Sequence, residues 1–205
     1  MSAARPVIGL LGQVCTGKST VAEAFRRRGA ELYEADKLVH ELYRRAEVKA
    51  EVRKRFGADV FAPDGEVDRK KLGALVFADE AKLAELTREV IFPRTGEALD
   101  ARLRTFRAGQ APALVLDAPT LLESGRGALC DRLLFVSAPR ARREAWARGR
   151  GWEPGELARR EGRMLDEQEK RKRCDAVLEN GGTLEDVDRR VAELWAAWVA
   201  PGVRE

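Results

Sequence analysis

The chain alternates short apolar runs with longer segments whose apolar residues recur at helical spacing. Five of the short runs predict β-strands: residues 6–12, 31–36, 111–119, 132–139 and 175–180. The third and fourth runs are too apolar to have a solvated face, and helical segments separate all five. This pattern predicts an α/β fold of three layers, in which helices cover both faces of a five-stranded parallel sheet.

Helical patterns fill the chain between these runs. A helix is expected from Lys18 up to Gly29, because glycine is the usual residue just beyond a helix end. The stretch between the second and third strands, about residues 37–108, is predicted to be a helical insert. It contains three amphipathic segments: residues 68–77, 80–92 and 95–109.

The last predicted helix covers residues 183–199, with Thr183 as its N-cap. One face of this helix carries large apolar side chains, those of Val187, Val191, Leu194, Trp195 and Trp198. Such a face predicts packing against a sheet rather than a binding stripe.

Composition narrows the class of protein. The chain has 205 residues and 44% hydrophobic residues, which suits one sizeable core. Its three cysteines are odd in number and lack metal-ligand spacing, so they are expected to be free thiols in a reducing compartment. No stretch approaches 18 apolar residues, and the first residues do not resemble a signal peptide. We expect a cytoplasmic protein with no membrane partner.

The stretch "GQVCTGKS", residues 12–19, fits the phosphate-loop pattern G-x-x-x-x-G-K-[ST] and lies between a predicted strand and a predicted helix. Glycines let backbone N–H groups approach phosphates, and the helix N-terminus favours an anion. Lys18 is expected to reach the β- and γ-phosphates, and the Ser19 hydroxyl to ligate Mg²⁺. The predicted ATP-binding residues are Gly12, Val14, Cys15, Thr16, Gly17, Lys18, Ser19 and Thr20.

Two carboxylates follow predicted strands. Asp36 ends the second strand and Asp117 comes near the end of the third, so both are expected at the edge where open α/β sheets bind ligands. Asp117 is a candidate Mg²⁺ ligand, and a turn residue is the alternative. Asp36 is a candidate to orient and deprotonate an acceptor hydroxyl, and N-capping of the next helix is the alternative.

A basic segment carries the chain's surplus of positive charge. Residues 140–173 contain 12 basic and 7 acidic residues, whereas the whole chain has a net charge of +4. Such a segment suits a multiply phosphorylated small molecule or nucleic acid. The acidic residues interspersed in it, and the lack of an aromatic platform, favour the small molecule. Arg148 and Arg150 are the candidates to contact a transferring phosphoryl group.

Taken together, these residues resemble the dephospho-coenzyme A kinase family over nearly the whole chain. The resemblance rests on "GLLGQVCTGKSTVAEAFRRRGAELYEAD", "VDRKKLGALVFADEAKLAELTREVIFP", "DAPTLLESG" and "EKRKRCDAVLENGGTLEDV". In the last stretch, four residues match a family signature: Lys170, Asp175, Asn180 and Gly181.

The resemblance implies ATP-dependent phosphorylation of the ribose 3′-hydroxyl of dephospho-coenzyme A, with ATP and Mg²⁺ as cofactors and Lys18, Asp36, Arg148 and Arg150 as catalytic residues. It also implies one kinase domain with three parts. These are a nucleotide-binding core (about 5–36, 109–139 and 172–200), an acceptor-binding insert (about 37–108) and a lid (about 140–171). We expect a monomer or a weak homo-oligomer.

The chain departs from the family pattern at several positions: Gln13, Cys15, Phe92, Leu122 and Met164. Three alternatives stay open at this point. They are another small phosphate-loop kinase acting on a nucleotide, shikimate or gluconate, a nucleic-acid-binding NTPase, and an inactive homologue.

Overall fold

The computed structural model describes residues 5–118 and 120–199. Five strands form one sheet in the order β2-β3-β1-β4-β5. Their bounds are β1 Val7–Leu11, β2 Glu31–Glu34, β3 Leu114–Asp117, β4 Arg132–Ser137 and β5 Ala176–Glu179. The sheet is parallel, as the apolar runs predicted, and the predicted fold class is confirmed.

Strand β1 lies at the centre of the sheet and every residue in it is buried. On one side Ile8 pairs with Val115 of β3, and on the other Leu10 pairs with Leu134 of β4. A strand buried on both faces and paired on both edges gives the loop that follows it a rigid starting point.

Each strand is shorter than its apolar run. The largest difference that bears on the site is at β2, which was predicted to end at Asp36 and ends at Glu34. The prediction for Asp36 was therefore wrong in this respect, because Asp36 lies in the first turn of a helix. An acidic residue there interacts favourably with the helix dipole. Pro119, predicted in the third strand, and Ala200, predicted in the core, lie outside the described residues.

Ten α-helices are described. They are α1 Lys18–Arg27, α2 Ala35–Leu42, α3 Ala46–Phe56, α4 Arg69–Phe77, α5 Glu80–Glu85, α6 Phe92–Ala108, α7 Arg140–Gly149, α8 Glu156–Glu161, α9 Glu167–Lys172 and α10 Leu184–Trp198. A 3₁₀ turn covers Arg126–Leu129.

The segment predicted as one helix over 80–92 contains a π-helical stretch, Leu86–Ile91, between α5 and α6. Pro93 has no N–H to donate to the carbonyl of Glu89 four residues earlier. Instead the Arg94 guanidinium donates to the carbonyls of Glu89 and Val90, at 3.5 and 2.9 Å.

Helix α10 begins as predicted. The Thr183 hydroxyl accepts a hydrogen bond from the Asp186 N–H, and the Asp186 carboxylate accepts one from the Thr183 N–H. Val187, Val191 and Leu194 of this helix are buried in the cluster that packs on the sheet. The expected core packing of this face is confirmed.

The chain divides into two compact units. The first contains the described residues up to Tyr33 and from Phe106 onward, and it holds the sheet apart from Glu34, the last residue of β2. The second, Glu34–Thr105, is helical and has its own apolar cluster, which includes Leu42, Val52 and Leu72. In the described part of the chain, no helix combines the length and apolar character needed to span a bilayer.

Candidate active site

The phosphate loop connects the end of β1 at Leu11 to the start of α1 at Lys18. Two of its residues have to be glycine. A Cβ on Gly12 would lie 2.4 Å from the Val136 carbonyl oxygen, and Gly17 has a left-handed φ of +80°. The tight turn therefore brings the loop backbone to the N-terminus of α1, where N–H groups point out of the helix.

Side chains of the loop fold back onto its own carbonyl groups. The Lys18 ammonium donates to the carbonyls of Gly12 and Gln13, at 3.3 and 2.9 Å. The buried Thr16 hydroxyl donates to the Gln13 carbonyl at 3.1 Å. Side-chain donors thus satisfy these carbonyl groups inside the loop, so the carbonyls do not need the loop's N–H groups as donors. The N–H groups are then available to bind an anion.

A residue from the far end of the chain also holds the loop. The side-chain amide of Asn180, just after β5, donates to the Thr16 carbonyl at 3.0 Å. Its backbone N–H donates to the Ser137 carbonyl at 2.7 Å, at the end of β4. Asn180 is 4% exposed. It therefore connects the phosphate loop to the carboxyl ends of two strands.

Arg143 on α7 makes a third contact with the loop. Its guanidinium Nε donates to the Val14 carbonyl at 2.9 Å, and the group also pairs with Glu161 on α8. Burial lowers the pKa of Arg143, and the neighbouring Arg140 acts in the same direction. Because arginine titrates far above neutral pH, the guanidinium stays charged and joins the loop to the basic segment.

Two further side chains of the loop contact the basic segment. Arg150 Nη1 donates to the Cys15 sulfur at 3.1 Å. The Gln13 amide donates to the Leu165 carbonyl at 3.4 Å. Arg148, the other candidate arginine, is exposed in the last turn of α7.

The predicted Mg²⁺ ligands fit a hard cation in their chemistry. Ser19 is exposed in the first turn of α1, and Asp117 is the last residue of β3, paired in register with Leu10 of β1. Both side chains contain oxygen atoms, the ligand type that a hard cation prefers. Within residues 5–118 and 120–199 no three histidine, cysteine, aspartate or glutamate residues cluster as an all-protein metal cage. Mg²⁺ is usually bound by one or two protein oxygens together with substrate phosphates.

Asp36 lies in the second compact unit, in the first turn of α2. Its side chain is exposed to solvent. The alternative, that Asp36 caps the helix, is wrong. The N-cap residue is Glu34, and its side chain makes no capping hydrogen bond. The carboxylate of Asp36 therefore has no capping task in this helix.

The family model for dephospho-CoA kinase matches residues 6–186 of the chain. This range includes the whole loop, the basic segment and Asn180. The chain belongs to the dephospho-CoA kinase family.

Individual relatives agree with this assignment. The dephospho-CoA kinase of Aquifex aeolicus is 34% identical over 192 residues, which cover 92% of this chain and 95% of that one. The dephospho-CoA kinase of Leifsonia xyli subsp. xyli is 36% identical over 195 residues, with 93% and 97% covered. The crystal structure of TT1252 from Thermus thermophilus superposes with a TM-score of 0.79 at 33% identity, covering 94% of this chain and 97% of that one.

Membership in the dephospho-CoA kinase family confirms several predictions from the sequence. The recognised family and the phosphate-loop kinase fold are confirmed, as is the enzyme class, a transferase that phosphorylates dephospho-coenzyme A. The other small kinases and the nucleic-acid-binding NTPase are not favoured.

The sequence did not reveal all the residues that hold the dephospho-CoA kinase loop. Asn180 was matched to a family signature but given no role, and Arg143 was one of many arginines in the basic segment. Only their long-range contacts with Thr16 and Val14 distinguish them.

Another contact is a buried ion pair behind the turn that follows β3. The Lys170 ammonium is fully buried and lies 2.8 Å from a carboxylate oxygen of Glu123. That oxygen also accepts a hydrogen bond from the Leu165 N–H at 3.2 Å. Both residues lie in stretches that carry the family resemblance, yet the sequence alone did not pair them.

Proposed function

We propose that the chain transfers the γ-phosphoryl group of Mg-ATP to the ribose 3′-hydroxyl of dephospho-coenzyme A, giving coenzyme A and ADP. The phosphate loop between β1 and α1 is the observation that carries this proposal, because it lies inside the segment that matches the dephospho-CoA kinase family. Phosphoryl transfer requires positioning and charge neutralisation more than covalent chemistry, and this loop is suited to both.

The nucleotide is held by the loop. The backbone N–H groups of Gly12 and of residues 14–20, together with the Lys18 ammonium, neutralise the phosphates. Lys18 exchanges its bonds to the Gly12 and Gln13 carbonyls for phosphate oxygens. Ser19 and Asp117 are the residues that would hold Mg²⁺. When bound, this cation neutralises charge that develops on the transferred phosphoryl group.

Asp36 orients the acceptor hydroxyl and takes its proton. Its exposed carboxylate makes no helix cap, which leaves it available for a substrate group. General-base assistance of this kind contributes about 10²- to 10⁴-fold in rate.

The other parts of the chain have separate tasks in this proposal. The helical insert, about residues 37–108, binds the acceptor, and the segment of about 140–171 acts as a lid over ATP. Arg148 or Arg150 contacts the transferring phosphoryl group, and the contact with Cys15 favours Arg150.

We also propose a cytoplasmic monomer or weak homo-oligomer with no nucleic-acid partner. In support, many lid arginines are paired with acidic side chains: Arg140 with Glu144 and Glu161, Arg159 and Arg160 with Glu156, and Arg171 with Glu167. Paired arginines offer less charge to a phosphate backbone.

A coupled assay of ADP release with Mg-ATP tests the reaction. Dephospho-coenzyme A, AMP, shikimate and no acceptor are compared for the wild type, Lys18→Ala, Asp36→Asn and a matched control, Glu41→Gln, which removes an exposed carboxylate from the same helix. We expect turnover with dephospho-coenzyme A alone. Lys18→Ala should abolish it, Asp36→Asn should lower kcat about 10²-fold or more, and Glu41→Gln should leave it unchanged.

Two results would overturn parts of the proposal. Turnover with shikimate or AMP in place of dephospho-coenzyme A would refute the acceptor. Equal kcat values for Asp36→Asn and Glu41→Gln would remove the general base and leave the phosphate site intact.

A further inference from the structure

The backbone of Cys15 adopts an unusual conformation for a residue with a side chain. Its φ is +58°, and among the described residues it is the only non-glycine with a positive φ. This left-handed conformation costs free energy in any residue with a Cβ, whereas glycine adopts it without that cost. The structure around Cys15 must hold the residue in this conformation.

The Cys15 side chain contacts the basic segment. It is 6% exposed and packs in a small cluster with Ala147 of α7 and Leu157 of α8. Its sulfur accepts the hydrogen bond from Arg150 Nη1 at 3.1 Å. The Arg150 guanidinium also lies 6.0 Å from the centre of the Trp152 ring. Arg150 is an exposed residue, yet Cys15 and Trp152 both contact its guanidinium and restrict its long side chain.

We propose that Cys15 is a positioning residue for Arg150. Its sulfur holds the guanidinium beside the phosphate loop, so that Arg150 rather than Arg148 meets the phosphates of ATP. The inference rests on the proposed function, because it assumes that the loop binds ATP. Holding the arginine in advance reduces the side-chain entropy that nucleotide binding would otherwise cost.

A thiol is well suited to this task because it is a weak hydrogen-bond acceptor. Phosphate oxygens are charged and accept two parallel bonds from a guanidinium, so they bind Arg150 more strongly than the sulfur does. Arg150 can therefore leave Cys15 when ATP arrives. A carboxylate at the same place would compete with the nucleotide.

A double-mutant cycle on the full chain tests this inference. The proteins are the wild type, Cys15→Ala, Arg150→Ala and the double variant, with ATP affinity measured by calorimetry and kcat/KM for ATP by the coupled assay. Alanine keeps the Cβ and the strained backbone, so Cys15→Ala removes only the sulfur. We expect a loss of about tenfold from Cys15→Ala in the wild type and almost none in the Arg150→Ala background.

Two further variants separate positioning from packing. Cys15→Ser keeps an acceptor at this place and should recover most of the activity. Cys174→Ser changes a thiol that lies just before β5, and it should match the wild type in ATP affinity and in kcat/KM for ATP. Thermal unfolding of each variant establishes that it is folded. If Cys15→Ala does not fold, Cys15→Gly deletes the same sulfur without the backbone cost.

Other results would refute the role of Cys15. A tenfold loss in both backgrounds would show that Cys15 acts on the loop itself, and no loss in either would show that it only packs. A wild type that binds ATP but does not phosphorylate dephospho-coenzyme A would refute the proposed reaction instead. In that case the calorimetric cycle would still decide the relation between Cys15 and Arg150.

Discussion

Asn180→Ala is expected to weaken ATP binding, although Asn180 follows β5 and lies 164 residues after Thr16 in the sequence. The substitution removes the side-chain amide that donates to the Thr16 carbonyl, a bond of 3.0 Å at a residue that is 4% exposed. A buried carbonyl that loses its donor costs about 1–3 kcal/mol. A loss of about 2 kcal/mol would lower the population of the loop conformation that binds phosphate, and with it the ATP affinity, by up to about 30-fold.

The same loss should appear in stability. For a chain of this size, about 2 kcal/mol lowers the melting temperature by roughly 4–8 °C. Calorimetric titration with ATP and urea unfolding measure the two effects separately. Asn180→Asp should be worse than alanine, since a carboxylate cannot donate to the Thr16 carbonyl and adds negative charge beside the phosphates.

The matched control is Gln110→Ala, which removes an exposed amide outside the loop. It should change the free energy of unfolding by less than about 0.5 kcal/mol. Wild-type ATP affinity in Asn180→Ala, or in Asn180→Asp, would refute the role of Asn180 in holding the loop.

Two further predictions concern a buried ion pair and two partly buried thiols outside the loop. Glu123→Ala leaves the buried Lys170 ammonium without its anion, so urea unfolding should show a free energy of unfolding lower by about 3 kcal/mol. The double variant Glu123→Ala/Lys170→Met should recover part of this loss. Additive losses from the two substitutions would contradict the prediction. Burial raises the pKa of Cys130 and of Cys174 from 9.0 to about 12. Below pH 9 both thiols are neutral in either state, and as pH rises from 9 towards 12 the unfolded chain ionises first. The free energy of unfolding should therefore fall in that window, and a Cys130→Ser/Cys174→Ser variant should lose this part of the slope; an unchanged slope would refute it.

Local signals explain what the sequence predicted well. The phosphate loop, the strand runs and the Thr183 cap each depend on residues a few positions apart, so their pattern is readable in one dimension. The family signature includes Asn180 but does not indicate that its side chain contacts Thr16.

The errors and omissions have physical causes too. Asp36 was assigned to a strand end because propensity does not separate the end of β2 from a helix that starts at the next residue. The apolar spacing of residues 80–92 gives no sign of the π-helical stretch Leu86–Ile91, because a helix with one wider turn keeps nearly the same pattern. Bonds from Arg143, Gln13 and Asn180 join segments more than a hundred residues apart, and no periodicity reports such pairs.

The bond between Asn180 and Thr16 also bears on how the protein is made. The two residues are separated by 164 positions. At about 5–20 residues per second, a ribosome adds Asn180 roughly 8–33 s after Thr16. During that interval the nascent chain already contains its glycine-rich loop but lacks the amide that fixes the loop's shape. Competence to bind nucleotide should therefore arise late in translation, after β5 has joined the sheet.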